Sequence, residues 1–217
     1  MKTTKLTYCL IAVLCISQLV MAQDKFRIGI NIGGTYSSLR GNPVAEENKA
    51  ALDILFGASF ELPLKDRLSL KMDINFESKR VTNEFSNLGG FDPLLETSSL
   101  SLSLNYVAIP VMLKYRFGKD QRFFVNGGPY YAAFRNVKTK VDGNTVDDNE
   151  SDSLFQNSDF GISAGIGMSF PVNDNSTINL ELRNNLGLNN ISKVEIVDDG
   201  SLKTNSLNLI LNWDFGL

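Results

Sequence analysis

Apolar and polar residues alternate along most of this chain. In the C-terminal segment one face is apolar and the other is polar, with Ile210 as the single exception. The apolar positions are Leu207, Leu209, Leu211, Trp213, Phe215 and Leu217, and the polar ones are Ser206, Asn208, Asn212, Asp214 and Gly216. The same alternation runs through 68–77 and 177–188. A period of two is typical of β-strands with one apolar face, and helical spacing fits none of these segments.

Applied to the whole chain, the alternation predicts eight strands. Their expected ranges are roughly 25–38, 50–62, 67–80, 99–117, 121–136, 157–170, 176–190 and 202–217. Each range has at least the ~9–11 residues that a tilted strand needs to cross a bilayer. The fold class predicted is therefore all-β, an eight-stranded antiparallel transmembrane β-barrel with up-and-down meander topology.

The predicted connections alternate between short and long. The short turns fall at 63–66, 118–120 and 171–175, and the long polar segments at 39–49, 81–98, 137–156 and 191–201. Such asymmetry is typical of outer-membrane barrels, with short turns in the periplasm and long loops outside. An even strand count puts both termini on the periplasmic side. Asp199-Gly200 is a hairpin signal, so the last two strands are expected to project beyond the membrane as a ribbon.

The N-terminus has the features of a secretory signal. Lys2 and Lys5 precede a mostly apolar stretch, 6–20, and Val20-Met21-Ala22 favours cleavage before Gln23. This divides the chain into a signal peptide, 1–22, and an outer-membrane β-barrel domain, 23–217. The alternative is an uncleaved anchor, which the short apolar stretch disfavours. Leu14 before Cys15 argues against a lipoprotein signal.

Composition excludes several classes of function. The chain has no histidine, and both cysteines, Cys9 and Cys15, lie within the predicted signal. Loss of Lys2 and Lys5 with the signal would change the net charge from −3 to −5, and no long basic run remains to favour nucleic acid as a partner. After the signal, no stretch approaches 18 consecutive apolar residues. The mean hydropathy of −0.06 decides nothing, because a barrel alternates lipid-facing and lumen-facing residues.

Aromatic residues cluster where the predicted strands meet the short turns. They are Phe26, Phe60, Tyr115, Phe117, Phe123, Phe170, Trp213 and Phe215. This clustering predicts an aromatic girdle at the periplasmic membrane interface. The alternative is core packing in a soluble β-sandwich, which the even spread of apolar residues over all strands disfavours.

If the apolar face points outward, many charged residues point into the barrel. The predicted lumen salt-bridge network contains Arg27, Glu61, Lys71, Asp73, Glu77, Lys114, Arg116, Glu181, Arg183 and Asp214. Asp53 and Asp159 are expected nearer the outer rim. Buried charges persist when they are paired, so we expect a plug in the periplasmic half, with Arg27 close to Asp214. The alternative function for these charges is a proton or ion path.

No catalytic, cofactor or metal site is predicted. Without histidine or cysteine, the usual nucleophile systems and zinc ligation are removed. The glycine-rich strands lack the lysine and helix start of a phosphate-binding loop. The acidic stretch 142–152 is a conceivable calcium site, but its spacing differs from an EF-hand and a solvated loop with a turn at Asp142-Gly143 is preferred.

Several motifs spread over the chain carry a resemblance to a known family. They are Phe26-Arg27-Ile28-Gly29, Phe56-Gly57-Ala58, Glu61-Leu62-Pro63-Leu64, Tyr106-Val107-Ala108-Ile109-Pro110-Val111, Lys114-Tyr115-Arg116-Phe117, Asn126-Gly127-Gly128-Pro129-Tyr130, Asp159-Phe160-Gly161 and Glu181-Leu182-Arg183. With them the chain resembles the small outer-membrane β-barrels of the Bacteroidetes grouped as PorT-like. The resemblance implies an eight-stranded barrel in the outer membrane, and it carries over no catalytic residue.

The leading functional hypothesis is a structural or interaction protein. Such a barrel would present external loops or serve as an accessory subunit of a larger outer-membrane secretion or assembly complex. The expected partners are membrane lipids, the barrel-assembly machinery during insertion, and that complex. The alternative is a narrow channel or small-ligand passage protein, and the weakest alternative is a lipid-modifying membrane enzyme.

Overall fold

The computed structural model describes residues 26–46, 48–86, 97–146, 151–196 and 200–217. The predicted signal peptide lies outside the described residues. The strands are β1 (Arg27–Arg40), β2 (Lys49–Lys65), β3 (Leu68–Ser86), β4 (Thr97–Phe117), β5 (Phe123–Val141), β6 (Asn144–Val146), β7 (Ser158–Pro171), β8 (Ser176–Gly187) and β9 (Lys203–Gly216). A four-residue helix, α1 (Pro43–Glu46), follows β1, and a 3-10 turn (Ser151–Leu154) precedes β7. None of the described helices has the length and apolar character needed to cross a membrane.

Eight of these strands form one closed ring. Each strand pairs antiparallel with its neighbour in sequence, in the spatial order β4-β3-β2-β1-β9-β8-β7-β5, and β4 pairs with β5 to close it. The short β6 folds back on β5 as a hairpin. The first and last strands meet over their whole length, from Arg27 opposite Gly216 to Arg40 opposite Lys203. The predicted eight-stranded antiparallel meander is confirmed, and a closed ring excludes the sandwich alternative.

The three short turns, the start of β1 and the end of β9 lie at one end of the barrel, which we call the short-turn end. The opposite, long-connection end differs from expectation. β3 continues to Ser86 and β5 to Val141, so parts of the predicted loops 81–98 and 137–156 are strand. The turn predicted at Asp142-Gly143 is confirmed, since both residues have positive φ, 50° and 81°. These residues join β5 to β6.

The ribbon predicted for the last two strands is wrong. β8 ends at Gly187 and β9 begins at Lys203, and the described residues between them form no strand. Asn189 Oδ1 accepts the N–H of Phe160 at 2.8 Å, and Asn190 Oδ1 accepts the N–H of Leu202 at 2.8 Å. These asparagine side chains replace the backbone partners that would have continued the ladder. The turn signal itself is only partly visible, because Asp199 lies outside the described residues.

Apolar side chains cover the outside of the ring. Ile32 is 64% exposed, Leu52 66% and Ile166 55%, although they belong to strands of the closed ring. Exposed apolar surface of this extent has no place in water, but it is the expected outer face of a transmembrane barrel. Most inward positions between them are polar and buried, as the alternation predicts, and the apolar exceptions are Leu55, Met112, Phe124 and Ile210.

Pro110 lies within β4, where a residue without an N–H is unusual. Its partner on β5 is Tyr130. On the other side, the β3–β4 register passes from Met72 opposite Val111 to Asn75 opposite Ala108, with no partners between them. The proline therefore lies at a gap in the ladder, where a missing donor costs least.

The polarity of the wall reverses at the long-connection end. There the strands surround an apolar core instead of a polar lumen. Its buried members are Leu39, Ala45, Val81, Leu104, Tyr106, Ala108, Tyr130, Ala132, Val137 and Ile191, with Leu102, Phe134, Phe155 and Leu202 packed against them. We call the segments that enclose this core the cap: 39–46, 78–86, 97–105, 134–146, 151–157, 188–196 and 200–204.

Candidate functional site: the barrel interior and its outer rim

At the short-turn end, two clusters of opposite charges close the lumen. Arg27 Nε donates to Asp214 Oδ1 at 2.6 Å, so the contact expected from strand closure is present. Lys114 Nζ lies 3.0 Å from Glu61 Oε2, and Arg116 pairs with the other oxygen of the same carboxylate. Both arginine side chains keep a little exposure, 18% and 19%, which places them at the mouth of the barrel.

A third cluster crosses the middle of the lumen. Lys71 Nζ on β3 lies 2.8 Å from Glu181 Oε2 on β8. Arg183 bridges two carboxylates, with Nε 2.6 Å from Glu181 Oε1 and Nη2 2.7 Å from Asp73 Oδ2. Asn126 on β5 also donates to Glu181 at 2.9 Å. All four charged side chains are buried, and their partners come from strands on different sides of the ring, so the cluster occupies the cross-section.

Glu77 lies above this cluster and is held by neutral donors. Ser206 Oγ donates to Glu77 Oε1 at 2.6 Å, and Asn185 Nδ2 donates to Oε2 at 3.1 Å. No salt bridge to Glu77 is found among the described residues. Buried carboxylates can be kept by hydrogen bonds alone when several donors converge on them. Glu77 is therefore inward, as predicted, but in a layer of hydroxyl and amide groups.

The last charged layer lies at the base of the cap, below its apolar core. Lys79 Nζ is 2.8 Å from Asp159 Oδ2, which also accepts from Thr204 at 2.6 Å and from Tyr130 at 3.1 Å. Lys79 also lies over the ring of Tyr106, 5.1 Å from its centroid. The network thus extends along the lumen and is not confined to the short-turn half. Asp159, expected near the rim, is completely buried.

Lys79 is the functional residue that the sequence analysis missed. It follows Glu77 by two positions, so the same alternation that placed Glu77 inward also places Lys79 inward. Lys79 and Asp159 add one charge of each sign, which keeps the buried charges balanced. Amides and hydroxyls fill the remaining space, as in the contacts of Asn212 Nδ2 with Asn31 Oδ1 at 2.8 Å and Ser59 Oγ at 2.7 Å.

The inward glycines make room for this filling. A Cβ on Gly165 would stand 2.9 Å from Glu181 Oε1, and one on Gly167 would stand 2.8 Å from Phe124 Cε1. Eight strands leave an interior just wide enough for side chains, so a large central residue requires a glycine opposite it.

The predicted aromatic girdle residues all lie on the outside of the ring, close to the short-turn end. Phe26 stacks on Phe60 with centroids 6.3 Å apart, Phe117 stacks on Phe123 at 5.9 Å, and Trp213 contacts Phe215 at 4.8 Å. Tyr115 and Phe170 are exposed on the same band, at 46% and 43%.

A second group of outward aromatic residues lies at the other edge of the apolar band, and the sequence analysis did not identify it. It consists of Tyr36, Phe56, Phe76, Tyr131 and Phe160. Phe160 and Phe170 both belong to β7. Ten residues of strand at ~3.3 Å each, tilted by ~40°, separate the two edges by about 25 Å, which matches the apolar band of outer-membrane barrels. The sequence does contain the information that these five side chains point outward, because all of them continue the outward alternation.

At this second edge the wall contains a break. The β2–β3 register jumps from Ala50 opposite Val81 to Leu55 opposite Glu77, so the residues between these pairs are not paired across the two strands. Arg80 and Asp53 fill the gap, with Nη2 and Oδ2 2.9 Å apart. A cavity of about 440 Å³ opens here, which we call the notch. It is lined by Asp53, Ile54, Phe76, Ser78, Arg80, Ser103, Asn105, Asn136, Val137, Lys138, Lys140, Thr145, Val146 and Asp152.

Among the residues that the structure describes, no group of three or more potential ligands is placed to hold a metal ion. Of the acidic stretch 142–152, Asp147, Asp148 and Glu150 lie outside the described residues. Asp142 Oδ1 accepts the N–H of Ser99 at 2.8 Å, and Asp152 Oδ1 accepts that of Val137 at 2.6 Å. These two carboxylates hold the cap backbone together.

The family described as outer membrane protein beta-barrel domain matches residues 21–193. The chain belongs to this family. Its members are outer-membrane barrels, which agrees with the closed ring, the apolar outer band and the polar interior. The family therefore places this barrel in the outer membrane.

Several solved structures of small outer-membrane proteins are similar to this protein. Neisserial surface protein A has 12% identity and a TM-score of 0.48, with 88% of this chain and 97% of that chain covered. Ail of Yersinia pestis has 15% identity and a TM-score of 0.41, with 89% and 100% covered. OprG of Pseudomonas aeruginosa has 12% identity and a TM-score of 0.44, with 91% and 100% covered. Among curated proteins, no sequence matches this chain.

Proposed function

We propose that this barrel is a structural or interaction protein whose cap contacts an outer-membrane partner. The observation that supports this proposal is the filled lumen. Ion pairs at three levels, Arg27 with Asp214, Lys71 with Glu181 and Lys79 with Asp159, occupy the interior between the mouth and the cap. Moving a solute through the barrel would require separating buried charges, which is costly in a narrow, low-dielectric interior.

The surface of the cap supports the same proposal. The strands β3, β4 and β5 extend beyond the second aromatic edge and are ordered there by an apolar core, so they form a rigid platform. The exposed residue Arg135 lies on this platform at a bulge, because the β4–β5 register shifts between Asn105 and Tyr106. Rigid elements present a contact surface with less loss of entropy than mobile loops. We infer that the platform is the contact surface of an accessory subunit.

The proposal includes an orientation and a subgroup. We infer that the short-turn end faces the periplasm and the cap faces outward, that 1–22 is removed on export, and that the chain is a PorT-like member of its family without enzymatic activity. Residues 23–217 contain no cysteine. Single cysteines at Gly143 and at Asp174 can therefore be compared on intact cells with a membrane-impermeant maleimide. Labelling only at position 143 is expected, and labelling only at position 174 would reverse the orientation.

The interaction is tested with a photo-crosslinking amino acid at three exposed positions. Arg135 reports on the platform, Leu180 on the lipid-facing wall and Asp120 on a short turn. The expected result is a discrete adduct with an outer-membrane protein from position 135. An adduct only from 180 would indicate sideways docking in the membrane. Absence of an adduct at all three positions would contradict the accessory role.

The channel alternative is tested with purified protein in planar bilayers. A filled lumen predicts no unitary conductance over a wide range of voltage. Steady unitary steps in the wild-type protein would contradict the proposed function. Steps that appear only in an Arg183→Ala variant would show that the mid-lumen cluster is the seal.

A further inference from the structure

The notch differs from the rest of the wall because it combines a break in the ladder with charged side chains at the edge of the apolar band. Ile54 is 60% exposed on the outer surface below it, and Phe76 stacks there on Phe56 with centroids 5.2 Å apart. Two residues further along β3 the outward positions become polar, at Ser78 and Arg80. The notch thus lies where acyl chains end and headgroups begin.

The carboxylates of the notch are already engaged within the protein. Asp53 Oδ2 accepts from Ser78 Oγ at 2.9 Å and from Ser103 Oγ at 3.2 Å, and its Oδ1 accepts the N–H of Ile54 at 2.9 Å. The same carboxylate pairs with Arg80. The second notch carboxylate, Asp152, is bound to the backbone of the cap. Asp53 is therefore neutralised by Arg80, whereas Asp152 keeps its charge and forms no ion pair within the described residues.

Among the described residues that line the notch, three cations face two carboxylates. In the described part of the chain, no carboxylate forms an ion pair with Lys138 or Lys140, which line the same cavity. Arg80 keeps 31% of its side chain exposed although it pairs with Asp53. Arg80, Lys138 and Lys140 thus line one cavity of about 440 Å³ together with Asp53 and Asp152, so the described lining carries one net positive charge.

We propose that the notch binds the phosphorylated headgroup of an outer-leaflet lipid. Phosphate oxygens suit Lys138 and Lys140 as point charges, and the exposed edge of Arg80 adds planar donors. The hydroxyl and amide side chains of Ser103 and Asn136 offer contacts for a sugar or glycerol backbone. The acyl chains would run down over Ile54 and Phe76. This inference rests on the proposed orientation, because only the cap end can meet the outer leaflet.

The test uses the full-length barrel in phosphatidylcholine nanodiscs that contain a small fraction of bisphosphorylated lipid A. Native mass spectrometry counts the lipid A that stays bound when the bilayer is stripped. The wild-type barrel is expected to retain one molecule. K138Q/K140Q is expected to bind about a hundredfold more weakly, because each charge-assisted contact is worth about one order of magnitude and the variant loses two of them. Arg80 keeps its contact in both proteins.

The matched control is K193Q, which removes an exposed lysine from the same end of the barrel but outside the notch. It should retain lipid A like the wild type. Because Lys138 and Lys140 are exposed or half-buried surface groups, the variants should keep heat-modifiable mobility, which verifies the fold. The nanodisc presents lipid A in both leaflets, so the result does not depend on orientation in the cell, and cysteine labelling tests the orientation separately.

Three outcomes would overturn the proposal. The double variant could retain lipid A as the wild type does, or dephosphorylated lipid A could be retained equally. Displacement of lipid A by millimolar inorganic phosphate would show a general anion site instead of a lipid site. Retention that requires the phosphates of the lipid, depends on Lys138 and Lys140, and resists free phosphate would support the proposal.

Discussion

The membrane-spanning wall and the cap are formed by the same strands with opposite polarity. On β3, Phe76 points outward and Glu77 points into the lumen, whereas four to six residues later Val81 is buried inside and Thr82 points outward. On β4, Leu104 is 1% exposed inside the cap, and Ser101 lies on the other face. On β3 and β4 the period of two continues without interruption, and only the chemistry of each face changes.

This difference shows that the surroundings of a strand decide which of its faces is apolar. In the wall, lipid lies outside and polar groups must pair inside the ring. Beyond the membrane, water surrounds the strands, so the interior becomes a conventional apolar core. The Lys79–Asp159 pair lies at the junction and is the last charged layer below the apolar residues of the cap.

The largest effect is expected from Arg183→Met in the wall. The change leaves Glu181 and Asp73 buried with only Lys71 nearby, and breaking such a buried pair costs about 3–5 kcal/mol of unfolding free energy. Urea unfolding in lipid measures the loss of unfolding free energy, with the folded fraction monitored by its heat-modifiable mobility. Arg122→Met is the control, because Arg122 and Asp120 are exposed and 3.7 Å apart. Equal stability of both variants would mean that the lumen pairs do not hold the wall.

The next effect is expected from Leu104→Ala in the cap. Truncating a buried leucine costs about 3 kcal/mol, and the loss should stay in the cap because the wall has its own contacts. Limited proteolysis should cut the cap while the barrel remains heat-modifiable. Ser101→Ala on the opposite face of the strand should leave the proteolysis pattern unchanged. Cooperative loss of the whole barrel would show that cap and wall are a single unit.

A charge on the outer surface tests the reversal directly. Leu182→Lys places a cation in the apolar band and should cost about 2–4 kcal/mol. Thr82→Lys has the same outward direction but lies in the cap, where water solvates the charge, so stability should hardly change. Both variants are compared by unfolding in the same lipid. A similar cost at the two positions would contradict the assigned membrane edge.

The smallest effect is expected at the tip of the β5–β6 hairpin. Asp142→Ala removes the acceptor for the N–H of Ser99 and the residue type that tolerates a φ of 50°, which should cost about 1 kcal/mol locally. Faster protease cleavage near residue 142 measures it. Asp142→Asn keeps both properties and should cleave like the wild type. Identical cleavage of the alanine variant would show that this contact does not order the tip.

Much of the wall could be predicted because its information is local. Which residues face inward follows from counting positions along a strand, and this places Lys71, Glu181 and Arg183 without knowledge of the fold. The short turn after β4 follows from Gly118, whereas the turn predicted at 63–66 begins only at Asp66, because Pro63 still pairs with Ser69. Lys79 was not predicted, although the same alternation places it inward, because only charged residues below the expected rim were assigned to the network.

The cap was predicted poorly because its determinants are not local. Residues 81–86 and 137–141 are polar enough to suggest loops, yet they form strands because both segments pair with the first part of β4. Asp199-Gly200 predicted a ribbon, but Asn189 and Asn190 bind the backbone and end the ladder. Strand propensity and turn signals depend on neighbouring residues, so they do not predict contacts between distant segments.

The sequence by itself determined the strand period, the apolar outer band and the polar interior, because alternation needs only neighbours in the chain. The tertiary structure decided which charges meet. Lys71 and Glu181 are 110 positions apart, and Arg27 and Asp214 are 187 apart. Only closure of the ring, with its register and tilt, brings such residues to the same height. The apolar core of the cap and the notch arise in the same way, from segments that touch only after the barrel has closed.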